Sequence, residues 1–134
     1  MLIDIEKIYT YGRFYPDIEE HVHWWLCVTN YKIYDTATIL SDFGYADEQE
    51  ISDAGVFISL FKTNIVELEK RFLHTVLSDS NKVPFSYDDI TFFDKNFKIY
   101  IEAHGLIRDW YDFEKNHLCN DAIAWCKMHN IHFH

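Results

Sequence analysis

Glycine and proline are scarce in this sequence, whose 134 residues include only 4 Gly and 2 Pro. Collagen-like and low-complexity chains need far more of both residues, and a glycine-rich phosphate-binding loop needs a cluster of glycines that this chain lacks. Hydrophobic residues make up 49% and aromatic residues 18% of the chain, which is much too apolar for a disordered protein. We therefore expect one folded domain over residues 1–134, and the composition disfavours a nucleotide-dependent enzyme.

Cysteines are also few, and they are not paired. Cys27, Cys119 and Cys126 include no CxxC pair, and an odd number of cysteines argues against a disulfide framework. The first residues carry acids where a secretory signal has a basic flank and an unbroken apolar stretch. The longest run without Asp, Glu, Lys or Arg covers 11 residues, 21–31, whereas a membrane-spanning helix needs roughly 20. These absences predict a cytoplasmic protein without a membrane span.

Positive charge is the third shortage. The chain has 12 Lys and Arg against 22 Asp and Glu, and its net charge is −10 with neutral histidines. A surface of this sign repels the phosphate backbone of a nucleic acid and attracts a cationic partner. No GxSxG, HExxH, Walker or dinucleotide-binding motif is present. The sequence therefore favours a protein that binds another protein, uses no cofactor and catalyses no reaction.

The first third of the chain contains a candidate β-hairpin. The run Val22–Val28 is dense in β-branched and aromatic residues, and a turn at Thr29–Asn30 would pair it with Tyr31–Tyr34. The alternative is a helix that begins at Pro16 and continues toward Leu26, because proline suits a first helical position. The local pattern leaves both structures open.

A buried strand followed by a helix is predicted in the middle of the chain. Gly55–Phe61 is short and apolar, as buried strands are. Asn64 can cap the next helix, with Glu67 at its third position as in a capping box. We expect this helix to pack on the sheet and to end at the polar segment Ser78–Asn81 with Pro84. Its apolar stripe consists of Ile65, Leu68, Phe72 and Val76.

The last third is predicted to contain a second hairpin and one or two helices. Ile90–Phe93 and Phe97–Ile101 flank a polar Asp94–Asn96, and apolar and polar residues alternate after it. The segment 106–129 lacks Gly and Pro and has apolar residues at helical spacing, with a possible break at Asn116–Asn120. The predicted elements together give an α+β domain, an antiparallel sheet with helices on at least one face.

The acids are concentrated in one window of the sequence. Between Lys32 and Lys62 there is no Lys, Arg or His, but six Asp and Glu carry −6 of the net charge of −10. Aromatic side chains among these acids supply rigid contact area, and a field of one sign speeds the encounter with a basic partner. We predict a partner-binding surface that consists of Asp42, Phe43, Tyr45, Asp47, Glu48, Glu50 and Asp53.

The C-terminal residues offer a different chemistry. Cys126, His129, His132 and His134 form the pattern C-x2-H-x2-H-x-H, whose donors suit zinc. A structural zinc site normally takes its ligands in separated pairs on firm turns, and Cys126 directly follows the apolar Trp125. We therefore expect Cys126 to be a core residue, and a metal-binding protein or metal-dependent enzyme is the alternative.

Two resemblances complete the sequence-based prediction. The stretch Gly105–Glu114, with Ala122–Cys126 and Ile131, resembles the closing segment of a small bacterial protein family without an assigned activity. This implies a bacterial origin and a helical ending, but no reaction. The short, acidic, aromatic-rich chain as a whole is similar to bacterial immunity proteins, which neutralise a cognate toxin domain, often a basic nuclease, in colicin-like or contact-dependent inhibition systems. That resemblance implies stoichiometric inhibition by an acidic face that covers the toxin's nucleic-acid-binding surface or a neighbouring patch and blocks substrate entry.

The expected function is therefore that of a non-enzymatic immunity protein, which binds a basic toxin nuclease domain through the surface around Phe43 and Tyr45. Two further alternatives stay open. In the first, the acidic window is only a solvated segment that keeps the domain in solution. In the second, the chain is a general adaptor subunit, whose partner is not toxic when it is expressed alone.

Overall fold

The computed structural model describes residues 1–16, 22–77 and 90–134. In chain order the elements are α1 (Ile5–Gly12), β1 (Arg13–Phe14), β2 (Trp24–Cys27), β3 (Ile33–Asp35), α2 (Thr36–Phe43), α3 (Glu48–Ala54), β4 (Phe57–Ser59), β5 (Thr63–Asn64), α4 (Ile65–Val76), α5 (Ile90–Ala103) and α6 (Ile107–Met128). Strands β3, β2 and β4 form one antiparallel sheet in that order, and β1 pairs with β5 in parallel.

The first predicted hairpin is confirmed. Strands β2 and β3 pair antiparallel, with Trp25 opposite Tyr34. The alternative helix is wrong at Trp24–Leu26, where the chain is extended, and residues 17–21 of that helix lie outside the described residues. The strand predicted within Gly55–Phe61 is also confirmed, because β4 pairs with the other edge of β2.

Helices cover both faces of this sheet. Successive side chains of a strand point to opposite faces, so Trp25 and Leu26 belong to different parts of the core. Trp25 packs in a cluster with Ile39 of α2 and Ile51 of α3. Leu26 packs in another cluster, which includes Ile8 of α1 and residues of α6. The predicted α+β class, with an antiparallel sheet and helices on at least one face, is confirmed.

Helix α4 begins where the sequence predicts, but it packs on different elements. The side-chain oxygen of Asn64 accepts a hydrogen bond from the backbone N–H of Glu67 at 3.2 Å. The buried stripe of α4 contacts α5 and α6 in a separate helical core, so the predicted packing on the sheet is wrong. The two faces of the sheet are already covered by α1, α2, α3 and α6. The polar segment Ser78–Asn81 and Pro84, predicted to end α4, lies outside the described residues.

The second predicted hairpin is wrong, because the region forms helix α5. Phe93, Phe97 and Ile101 are all buried, and their four-residue spacing places them on one face of a helix. Asp94 and Lys98 form an ion pair at 3.1 Å across one helical turn. The alternation of apolar and polar residues after Phe97 was misleading, since Ile99 is 56% exposed.

The last helix runs without the predicted break. Helix α6 is 22 residues long and includes Asn116–Asn120. The side chains of Asn116 and Asn120 are exposed, so water can take their hydrogen bonds and they do not compete with the helix backbone. The chain beyond α6 returns to the N-terminus, where Ile3 forms a parallel bridge with Phe133. Among the described residues, no helix has both the length and the apolar character needed to cross a membrane.

Helix α5 can be tested by comparing two apolar positions. Replacing the fully buried Phe97 by Ala removes a ring from the helical core and should lower the free energy of unfolding by about 3–5 kcal/mol. Ile99→Ala changes an exposed residue and should cost less than about 1 kcal/mol. Urea denaturation of the two variants measures both losses. A hairpin would place both side chains on the same face, and similar losses would therefore contradict the helix.

Candidate protein-binding surface

The acidic window of the sequence folds into two short helices rather than a loop. The carboxylate of Asp35 caps α2 by accepting the backbone N–H of Thr38 at 2.8 Å. The carboxylate of Asp47 caps α3 by accepting the backbone N–H of Glu50 at 2.9 Å. Each helix ends at a glycine with positive φ, which is 77° at Gly44 and 72° at Gly55. The window therefore has a defined backbone structure, and two of its six acids cap the helices in it.

Two aromatic side chains of this window rest on one buried ring. The rings of Phe43 and Phe57 meet edge to face with centroids 5.1 Å apart, and those of Tyr45 and Phe57 meet at 6.1 Å. Phe43 also meets Tyr34 edge to face at 5.4 Å. Phe57 is buried in β4, whereas Phe43 remains 46% exposed. Contact with the sheet thus fixes the orientation of Phe43 while leaving half of its surface open.

The five predicted carboxylates lie on either side of Phe43 and Tyr45 in the sequence, and all five are exposed. The side chain of Glu50 accepts the backbone N–H of Ala46 at 3.1 Å, next to the cap made by Asp47. Asp53 accepts the side-chain amide of Gln49 at 2.9 Å. We use the term acidic surface for Asp42, Phe43, Tyr45, Asp47, Glu48, Glu50 and Asp53.

Glu48 connects the acidic surface to the sheet. Its Oε1 accepts the hydroxyl of Thr36 at 2.8 Å and lies 3.1 Å from Nδ1 of His23. The other ring nitrogen of His23 lies 2.6 Å from the hydroxyl of Ser59. The hydrogen bond from Thr36 lowers the pKa of Glu48, and the nearby charges of His23 and Lys62 lower it further. Glu48 therefore stays charged and holds α3 against the edge of the sheet.

The C-terminal cysteine and histidines do not form a metal centre in the described residues. Cys126 is fully buried, and its burial raises the pKa of the thiol to about 11. The ring of His129 packs against that of Trp125. Nowhere in residues 1–16, 22–77 and 90–134 do three or more His, Cys, Asp or Glu side chains converge as metal ligands. The core interpretation of Cys126 is confirmed, and the structure gives the metal-binding alternative no support.

A buried cluster of charged residues was not identified from the sequence. Glu69 of α4 is fully buried, and Glu114 of α6 is 8% exposed. Glu114 forms an ion pair with Arg13 at 3.3 Å, and Asp94 forms one with Lys98 at 3.1 Å. No donor among the described residues reaches either carboxylate oxygen of Glu69 or Oδ1 of Asp94. Burial of a carboxylate without a donor is unfavourable, so this cluster must lower its charge.

Glu69 lowers the charge by keeping its proton. Desolvation by burial raises the pKa of Glu69 to about 10, and the neighbouring Asp94 raises it through a hydrogen bond and through its charge. The protonated Glu69 can donate its O–H to Oδ1 of Asp94, the oxygen that the ion pair with Lys98 leaves without a partner. Burial also raises the pKa of Glu114, against the opposing effect of Arg13. The sequence held one signal of this site, since Glu69 lies one helical turn from Ile65 and from Leu73, inside the apolar stripe of α4.

No protein-family model, no curated protein and no solved structure matches this chain.

The protonation of Glu69 predicts how stability depends on pH. The unfolded carboxyl titrates near 4.5 and the folded one near 10, so between these values the folded state binds more protons. Stability from this group is therefore fully present below pH 4.5 and is lost as pH rises toward 10. Glu69→Gln imitates the neutral acid and cannot ionise. We expect it to raise the free energy of unfolding by on the order of 2 kcal/mol at mildly alkaline pH and to have little effect in acid.

Urea denaturation over a series of pH values measures this difference. The control is Glu102→Gln, which changes an exposed carboxylate of α5. If both variants keep the pH dependence of the parent protein, Glu69 is charged in the folded state and the interpretation of the cluster is wrong.

Proposed function

We propose that this chain is a non-enzymatic inhibitor that binds a basic protein domain through the acidic surface. The resemblance to bacterial immunity proteins supports this activity. The proposed partner is a cognate toxin nuclease domain in the cytoplasm. One observation carries the proposal: Phe43, 46% exposed and supported from below by Phe57, lies in a segment whose five neighbouring carboxylates are all exposed.

Phe43, which we call the anchor, supplies affinity in this proposal. Hot spots of protein interfaces are enriched in aromatic residues that bury large areas at small cost in conformational entropy. The rings of Tyr34 and Phe57 already restrict Phe43 in the free protein, so little side-chain freedom remains to be lost on binding. Tyr45 is half-buried beside it and adds a polar hydroxyl to the same contact area.

The carboxylates supply speed and selectivity. No Lys, Arg or His lies between residues 32 and 62, so the window holds no internal cation that would neutralise them. A field of one sign attracts a basic domain over a Debye length, and it disfavours nucleic acids and acidic proteins. A nuclease domain is basic where it binds its substrate, and carboxylates can occupy positions shaped for phosphates. Occupation of that surface excludes the substrate without any reaction.

The charge of the acidic surface can be removed without removing its hydrogen-bond acceptors. The variant Asp42→Asn, Asp47→Asn, Glu50→Gln and Asp53→Asn keeps an oxygen at each position, and Asn remains a good helix cap. The ligand for this test is the product of the gene next to this one. We expect the association rate constant to fall about tenfold or more at low ionic strength. The difference should shrink at high salt, and stopped-flow fluorescence measures both rates.

The matched control removes four acids elsewhere, at exposed positions of α1, α5 and α6: Glu6→Gln, Glu102→Gln, Asp109→Asn and Asp112→Asn. Both quadruple variants have the same net charge. Equal losses in the two variants would attribute the effect to overall charge and would contradict the assignment of the surface. If the neighbouring gene product is not toxic, or is not neutralised by this chain when both are expressed, the immunity function is wrong and an adaptor remains.

Phe43 should affect the complex in a different way from the carboxylates. Phe43→Ser removes the whole ring, including its contacts with Tyr34 and Phe57, and should raise the dissociation rate constant by about tenfold or more, with little change in the salt dependence of association. Ile99→Ser changes another exposed apolar residue, which lies on α5, and serves as the control. An unchanged dissociation rate for Phe43→Ser would remove Phe43 from the interface.

A further inference from the structure

A second site of different chemistry lies beside the start of the sheet. It is a cavity of about 420 Å³, which is within the size range of small-molecule sites. The end of α1, strand β1, the start of β2 and the segment after β4 surround it. The described residues that line it are Tyr11, Gly12, Arg13, Phe14, Tyr15, Val22, Trp24, Leu60, Phe61 and Lys62.

The walls of this cavity are mainly aromatic and are held in place by close packing. The rings of Tyr11 and Trp24 meet edge to face with centroids 4.6 Å apart. The ring of Phe61 lies directly against the backbone of Gly12, where a Cβ atom would come within 2.6 Å of it. A glycine is therefore required for Phe61 to form this wall. Fixed aromatic faces of this kind favour a planar ligand, which can stack on them without ordering new side chains.

The described part of the lining is positively charged, whereas the protein as a whole is negatively charged. Two described lining residues, Arg13 and Lys62, are cationic, and none is Asp or Glu, although the chain as a whole carries −10. The adjoining cavity shares Arg13 but is lined by Glu102 and Glu114 as well. The cation that most favours an anion in the aromatic cavity is Lys62. Arg13 is already paired with Glu114. Lys62 is exposed and forms no hydrogen bond or close ion pair among the described residues, although its charge also acts on Glu48.

We propose that this cavity binds a small planar aromatic carboxylate. The ring would stack among the aromatic walls, and the carboxylate would lie at Lys62, with Arg13 adding to the positive potential. An ion pair at the mouth of an apolar site is screened less than one on an open surface, so the charge contributes to affinity as well as to orientation. This site is separate from the acidic surface, and the proposal does not depend on the proposed function.

Indole-3-acetate and its uncharged amide are the probes, because they share a ring and differ in the charge. The indole N–H signal of Trp24 reports occupation, and Trp24→Phe identifies that signal among those of the 4 Trp. We expect saturable shifts with the acid and a dissociation constant about tenfold higher for the amide. Equal affinities would overturn the proposed selectivity for anions, and the absence of any saturable shift would overturn the site.

Lys62→Met tests the proposed contact and keeps most of the apolar side chain. We expect it to weaken binding of the acid by about tenfold and to leave binding of the amide unchanged. Lys127→Met is the control, since Lys127 is exposed near the end of α6 and does not line the cavity. If the two lysine variants bind the acid equally well, the carboxylate does not lie at Lys62 and the proposal is wrong.

Discussion

The contact of Phe57 with Phe43 and Tyr45 fixes the position of the two aromatic residues of the acidic surface. Phe57 pairs across the sheet with Cys27 of β2 and is buried to 3% exposure. Its ring meets edge to face the rings of Phe43, the last residue of α2, and Tyr45, which lies in the turn before α3. Without this contact the turn would be joined to the sheet chiefly by Ile39, Ile51 and Glu48. The position of the anchor on the surface is therefore a property of the core beneath it.

The acids of the window have two physical roles that are easily confused. Asp35 and Asp47 satisfy backbone N–H groups at the starts of two helices of 8 and 7 residues, and such short helices depend on their caps. Glu48 holds α3 to Thr36 and His23. These contacts mean that part of the charge asymmetry seen in the sequence serves folding. The capping carboxylates still carry a charge that can act on a partner, which is why substitutions that keep the oxygen separate the two roles.

Several elements were predicted from local signals, although the pattern at β2 and β3 left a helix as the alternative. The hairpin of β2 and β3 and the start of α4 followed from strand composition and from the cap at Asn64. Helices α2 and α3 were missed although their signals are present. Asp47 is followed three residues later by Glu50, and Gly44 and Gly55 mark the helix ends. The capping pattern of the window therefore indicates two helices, which its charge alone does not.

Other features could not be predicted from local sequence patterns. The segment after Phe93 satisfies both a four-residue and a two-residue period over a short stretch, and only the packing of Phe97 against Phe72 and Trp110 selects the helix. The burial of Glu69 depends on α5 and α6 closing over α4, which are contacts between distant parts of the chain. The cavity beside Lys62 likewise combines residues 11–15 with residues 60–62. The aromatic content predicted a core, but no periodicity indicates which rings will face a cavity.

The shortage of basic residues affects the charge of both the core and the surface of this protein. Among the described residues, the helical core brings three carboxyl groups together, Glu69, Asp94 and Glu114, with two cations to oppose them. Arg13 takes Glu114 and Lys98 takes Asp94, so the remaining carboxyl group must be neutral, and Glu69 keeps its proton. A third cation at this cluster would remove that need, but each basic residue placed there leaves one fewer to neutralise the rest of the surface. Protonation of Glu69 thus satisfies the core without a cation, and the acidic surface keeps the uncompensated charge that its proposed partner would recognise.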